Sequence, residues 1–244
     1  MSIYKCNECS HEYSQLSKPN ECEVCGANNF QVIEEKKELR SKVVQTLIPS
    51  IIDKTILDES FIKLSSFWSP ISQFAKFEDR SLFQQVSKPN WGEWSVLNTN
   101  SSLHNVQKTD YCLNVKKVDG PKNCLYGILT TVQEPKFLNC YYLLITSNGL
   151  FSMGKHSRKN WQHYINRKKH SSIKQGDSLN RLRIVTEGNL ITGFINGQEV
   201  GSFRDNSTPY KSTNIGVYST SNEQGNGVAV YFNKIKVITT IFKE

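Results

Sequence analysis

From about residue 74 onward, short runs rich in Val, Ile, Tyr and Phe alternate with polar positions and are broken by Gly, Asn, Asp and Ser. Runs of this kind predict strands over 111–115, 125–132, 141–146, 182–185, 190–195, 215–218, 228–232 and 235–238. Asn196-Gly197, set between two such runs, is the strongest hairpin signal, because a type I′ turn needs positive φ at both central positions. Glu187-Gly188-Asn189 marks a second turn and extends the hairpin into a meander. No long helical pattern separates these runs. The pattern therefore predicts an antiparallel two-sheet sandwich or jelly roll rather than a parallel α/β fold.

Upstream the period changes. Leu39, Val43, Val44, Leu47, Ile48 and Ile52 recur at steps of three and four, which predicts an amphipathic helix that Pro49 must kink or end. The charge run from Glu34 to Glu38 fits its solvated start, and Phe61, Leu64, Phe67 and Trp68 before Pro70 predict a packed segment leading onward. The expected organisation is a small N-terminal module over 1–33, a partly helical connector over 34–74 and a β-sandwich over 75–244. The connector's apolar stripe would pack on the next domain or dock a protein partner.

The N-terminal module is defined by cysteines. Cys6-x2-Cys9 and Cys22-x2-Cys25 form two knuckles, each placing two thiolates on a tight turn, the arrangement that chelates one ion. Two disulfides are the competing assignment, which a reduced compartment disfavours. Four thiolates close a tetrahedral site, so the expected metal is structural Zn2+, with iron less favoured. The segment resembles the zinc-ribbon and rubredoxin-like families, with Gly26 free to take the positive φ of a knuckle. Ser10 after the first pair and the lack of Trp in this segment depart from the rubredoxin-like pattern and favour zinc. So short a segment buries little, and metal binding is expected to supply most of its folding free energy. Cys112, Cys124 and Cys140 lack chelating spacing and read as buried free thiols.

Composition sharpens this. The 244 residues carry a formal charge of +8, which divides into −2 before residue 76 and +10 from Lys76 onward. A basic second part attracts polyanions, although net charge alone does not identify them. No apolar run of membrane-spanning length and no secretory leader pattern is present, so a soluble, cytoplasmic protein is expected.

The progression Asn180-Arg181-Leu182-Arg183-Ile184, Gly188-Asn189, Ile195-Asn196-Gly197, with Tyr142 to Ile145 before it and Ile215-Gly216-Val217 and Val230 to Ile235 after it, looks like the concanavalin A-like lectin and glucanase superfamily. It is most similar to laminin G-like and family 16 glycosidase-like domains, over roughly residues 75 to 240. The resemblance implies an antiparallel jelly roll whose concave sheet binds carbohydrate. The glucanases of this group set nucleophile and acid on one strand face as Glu-x-Asp-x-(x)-Glu. No Glu here has Asp two residues later, so a non-catalytic binding or adaptor protein is expected.

Candidate ligand residues lie between 155 and 174. Lys155, Arg158, Arg167, Lys168 and Lys169 surround Trp161 and Tyr164 on what reads as a basic loop, with His156, His163 and His170 at seven-residue steps that match no metal spacing. The two aromatics could stack on a neutral sugar, or the cations could hold nucleic acid or another polyanion. The plainer reading packs Trp161 under the loop with its charges in solvent. Asp119-Gly120 and Asp205-Asn206 are candidate calcium donors by the laminin G-like resemblance, and otherwise turns. A protein partner, reached through the ribbon or the connector helix, is the third class of ligand expected.

Overall fold

The computed structural model describes residues 2–9, 12–15, 21, 25, 27, 30–35, 51–59, 68–69, 73–99, 106–133, 139–158 and 160–242. The chain forms two compact units, residues 1–48 and 49–244. In the first, strands β1 (Ser2–Cys6), β2 (Glu12–Gln15) and β3 (Phe30–Glu35) make an antiparallel sheet in the order β2-β1-β3. Cys6 and Phe30, with Tyr4 and Ala27 against them, are its small apolar cluster.

The second unit runs through β4 (Ile51–Glu59), β5 (Trp68–Ser69), β6 (Ala75–Glu78), β7 (Ser81–Gln85), β8 (Gly92–Leu97) and β9 (Val106–Asp119). It continues with β10 (Tyr126–Gln133), β11 (Asn139–Ile145), β12 (Leu150–Ser157), β13 (Asn160–Lys169), β14 (Asn180–Glu187) and β15 (Leu190–Ile195). Then come β16 (Gln198–Arg204), β17 (Ile215–Thr220) and β18 (Ala229–Phe242). Seven strands pair in the order β13-β12-β11-β10-β17-β8-β5, and the second sheet follows β16-β15-β14-β9-β18-β7-β6, with β4 added on β18. All pairings are antiparallel, which makes this the jelly-roll sandwich expected from the sequence.

Local chemistry sets the connections. Asn196 and Gly197 take φ of 52° and 88°, as the two-residue turn requires, and the Asn196 amide donates to the Ser172 carbonyl and to Asn180 Oδ1. Asn196 Oδ1 in turn accepts the backbone N–H of Arg181, so one side chain ties the hairpin to the neighbouring strand and loop. Between the sheets, Tyr141, Leu143 and Ile145 of β11 interlock with Tyr111, Leu113, Leu182, Ile184, Phe232 and Val237.

The expected helix is corrected where it can be followed. Ile52 lies in β4, paired from Ile51↔Phe242 to Glu59↔Ile235 with β18. Pro49 ends any helical pattern, and beyond it Ile51, Ile52, Thr55 and Ile56 are β-branched residues that suit a pleated sheet bonded to a long partner strand. Residues 36–50, which include Leu39 to Ile48, lie outside the described residues, as do Phe61, Leu64 and Phe67. Among the described residues there is no helix, and so none long and apolar enough to cross a membrane.

Candidate ligand-binding face and cysteine cluster

Strand β11 is apolar on both faces. Its inward side chains join the core between the sheets, while Cys140, Tyr142 and Leu144 point the other way and form a second cluster with Val96, Leu129, Val132 and Tyr218. Trp94, Leu125 and Trp161 pack against that cluster. The register explains the grouping. His163, Gly154, Tyr142, Leu129, Gly216 and Val96 form one row across six strands, and Leu144, Gly127, Tyr218 and Trp94 form the next. The outward face of the seven-stranded sheet therefore carries a patch of aromatic rings.

Trp161 is its hub. Its ring centroid lies 4.9 Å from Tyr142, 5.1 Å from Tyr218 and 4.5 Å from His156. These are tilted and edge contacts of the kind aromatic pairs prefer. Trp161 stays half-buried, as does Trp94, whereas Tyr142 and Tyr218 are buried beneath it. Two glycines make room for the rings. A Cβ at Gly92 would collide with the Tyr218 hydroxyl, and one at Gly154 with the Tyr142 hydroxyl and the Gln162 carbonyl. The Tyr142 hydroxyl sits 3.1 Å from the Gln162 carbonyl and 2.7 Å from His163 Nδ1, which fixes the exposed imidazole at the margin of the patch.

Burial, with help from Arg167, holds the His163 imidazole below its ordinary pKa of 6.5. A group depressed in the folded state contributes stability above its unfolded pKa and loses it as pH falls through the folded value. Urea melts between pH 7 and pH 5 are expected to show stability declining below about pH 6.5. His163→Gln flattens that decline, and an unchanged slope in the variant would contradict the assignment.

The predicted ligand residues are not brought together. Positions 155–169 form the β12–β13 hairpin rather than a loop, and β13 is the edge of its sheet. A register shift between Met153 and Gly154 leaves Tyr164 opposite no partner, and its ring stacks on Phe203 at 4.0 Å and 8°. Phe203 belongs to the inner core, so Trp161 and Tyr164 do not share a platform. Lys155 points inward and is buried. Its Nζ donates to Asp205 Oδ2 at 2.6 Å, to Ser207 Oγ and to the Thr208 carbonyl, and lies over the Tyr210 ring. Arg158 is at the hairpin turn, its N–H donating to Asn139 Oδ1. Arg167, Lys168 and Lys169 lie exposed along the edge strand, where cations discourage another chain from adding to the sheet.

The calcium donors are engaged as well. Asp205 accepts from Lys155, from the Tyr141 hydroxyl at 2.8 Å and from the Ser207 backbone and hydroxyl. Burial works to raise that carboxyl, but the hydrogen bonds from Lys155, Ser207 and Tyr141 outweigh it and hold the pKa below the ordinary value. Asp119 Oδ1 accepts the Gly120 N–H in a turn. Cys112, Cys124 and Cys140 are buried thiols, each pushed up by burial. Sequence reasoning missed Tyr142, Tyr218 and Trp94, because β11 is apolar on both faces and gives no alternation that singles out the outward one.

In the first unit, the sulfurs of Cys6, Cys9 and Cys25 all lie within 4.8 Å of one another, with Cys6 Sγ 3.7 Å from Cys25 Sγ. Tetrahedral thiolate bonds of about 2.3 Å give sulfur–sulfur edges of about 3.8 Å, whereas a disulfide would need about 2.0 Å. The three sulfurs are thus close enough to be compatible with one shared metal ion; Cys22 lies outside the described residues.

No protein-family model matches the chain, and no curated protein matches it in sequence. Solved structures do match. The chain is similar to the carbohydrate-binding module CBM66 from Bacillus subtilis, with a TM-score of 0.52 and 11% identity over 72% of this chain and 95% of that one. It is similar to a Bacillus subtilis protein of unknown function with a galectin-like fold, at 0.53 and 9% over 80% and 100%. It is also similar to the CBM2 module of the evolved Dit of Lactobacillus casei BL23 phage J-1, at 0.54 and 8% over 80% and 99%. The shared feature is the galectin-like jelly roll. At such low identity these likenesses show the fold, and the site rests on the side chains.

Proposed function

We propose that this protein is a non-catalytic carbohydrate-binding protein that holds a neutral sugar on the outward face of the seven-stranded sheet. The observation that carries the reading is the aromatic patch of Trp161, Trp94, Tyr142 and Tyr218, rimmed by His156 and His163. A pyranose presents an apolar ring face and a rim of hydroxyls. Half-buried indoles receive the first, and imidazole and backbone groups at the margin receive the second. The likeness in fold to two carbohydrate-binding modules supports the same reading. Among the described strands of this sheet, Glu93 is the sole carboxylate, and it accepts the Trp91 Nε1–H at 3.0 Å. Trp94 and Val96 look outward, so Glu93 lies on the other side of β8; the outward face of these strands offers no carboxylate pair for hydrolysis, and binding is favoured over cleavage.

In this reading, residues 1–33 form a zinc module whose thiolates, Cys6, Cys9, Cys22 and Cys25, hold a structural ion that closes the fold and performs no chemistry. A neutral-glycan array at physiological salt, repeated at tenfold higher salt, tests the proposal. The expected result is salt-resistant binding that Trp161→Ala weakens about 30-fold or more, the effect of removing a central aromatic anchor. Tyr164→Ala leaves it unchanged. Binding that survives Trp161→Ala, or is lost equally with Tyr164→Ala, overturns it.

A further inference from the structure

The opposite side of the sandwich carries a groove of different chemistry. The outward face of the eight-stranded sheet has a hollow of about 660 Å³ lined by Asp110, Lys174, Arg181, Arg183 and Lys236 among others. Its cations come from three directions. Arg181 and Arg183 stand two apart on β14 and so share a face, and Lys236 on β18 reaches the same row through the register Lys236↔Cys112↔Arg183. Lys174 comes from the loop before β14, whose shape is held by Asn180 bonding to both the N–H and the carbonyl of Lys174.

The charges do not cancel. Asp110 forks Arg183 at 2.6 to 2.9 Å, and Asp58 of β4 pairs with Lys236 at 2.7 Å. Lys174 and Arg181 form no ion pair among the described residues, and both are exposed. Arg181 makes only a 3.6 Å contact with Cys112 Sγ, so its planar fork of donors remains available. Asp110 also positions the groove's floor, since it fixes Arg183 over the Phe194 ring at 4.7 Å. The rim is open at Gly197, where nothing lies within 4 Å of the position a Cβ would take.

We propose that this groove binds the anionic groups of an acidic glycan, sulfate or carboxylate, with Arg181 and Lys174 as the principal contacts and Lys236 beside them. A planar guanidinium grips an oxyanion with two parallel hydrogen bonds, and two lysines flank it as point charges. Among the described residues the groove offers no free aromatic plane, because Arg183 already covers Phe194. Base stacking, which supports much single-stranded nucleic-acid binding, has no platform here. This groove belongs to the other sheet from the aromatic patch, so the proposal stands or falls independently of neutral-sugar binding.

The test is titration of the full chain with a sulfated dextran oligosaccharide, its unsulfated counterpart, and single-stranded DNA of equal charge, each at two salt concentrations. Sulfated dextran is expected to bind with an affinity that falls with salt, and Lys174→Glu/Arg181→Glu is expected to weaken it about tenfold or more. Lys168→Glu/Lys169→Glu on the edge strand and Trp161→Ala leave it unchanged. Unaltered melting of the Lys174/Arg181 variant confirms that the fold persists, as expected for two exposed side chains. Equal loss in the edge-strand variant, no loss in the groove variant, or tighter binding of DNA than of sulfated dextran would overturn the proposal.

Discussion

Replacing Lys155 by Met is expected to destabilise the sandwich by about 3–5 kcal/mol, as is typical when one partner of a buried ion pair is removed. Both charges lie in the interior, with Lys155 6% and Asp205 1% exposed. The ammonium satisfies its three donors on Asp205, Ser207 and Thr208, and the carboxylate collects Tyr141 and Ser207 besides. Taking the lysine away leaves a desolvated carboxylate with neutral donors only. The pH dependence has a definite sign. In the wild type the Asp205 pKa is depressed, so its contribution is present above the unfolded value of about 3.9 and is lost as pH falls through the folded value. In Lys155→Met the carboxyl loses its countercharge and protonates more readily, so the gap between variant and wild type narrows on acidification. Urea denaturation at pH 7 and pH 4 checks both statements. Lys155→Met/Asp205→Asn, which removes both charges, recovers part of the loss. A variant within 1 kcal/mol of wild type at pH 7 would contradict the interior ion pair.

Removal of the zinc proposed for the first unit is expected to have a larger effect still, confined to that unit. Structural zinc contributes on the order of 10–16 kcal/mol to the folding of small thiolate modules. The apolar cluster here, Cys6 and Phe30 with Tyr4 and Ala27, is too small to substitute for it. Cys22→Ser, which removes the fourth thiolate of the proposed site, is expected to drop bound zinc from one ion per chain to a small fraction. Backbone amide exchange over β1 to β3 then becomes fast, while β9 to β18 remain protected. One zinc retained by Cys22→Ser, or unchanged exchange over β1 to β3, would contradict a four-thiolate structural site.

Much of the sandwich was legible because its signals are local. Asn196-Gly197 specified a turn by its φ requirements alone, and the strands around it followed from alternation with Arg181 and Arg183 outside and Leu182 and Ile184 inside. The aromatic outward face was not legible, because β11 is buried on both sides. Cys140, Tyr142 and Leu144 are as apolar as Tyr141, Leu143 and Ile145, so alternation carries no information about which three look away from the core. In the β12–β13 hairpin, the register shift at Met153/Gly154 breaks the count between Trp161 and Tyr164 and sends two neighbouring aromatics to different surroundings. Lys155 read as one more cation of a basic segment. Its inward position follows from pairing with Tyr141, and its partner Asp205 lies 50 residues away. Ile52 fitted a helical stripe by spacing, yet the stretch of β18 over 235–242, beyond its pairing with β7, offered it a better partner than its own chain.

The most direct test of the central claim follows the indole N–H resonances of the four tryptophans, Trp68, Trp91, Trp94 and Trp161, in the isotope-labelled full chain. The titrant is each neutral oligosaccharide that binds in the array. If the outward face of the seven-stranded sheet holds the sugar, the Trp161 and Trp94 signals shift saturably together, while those of Trp68, inside the core, and Trp91, held to Glu93, stay in place. Saturable binding with the Trp161 and Trp94 signals unmoved would contradict the account.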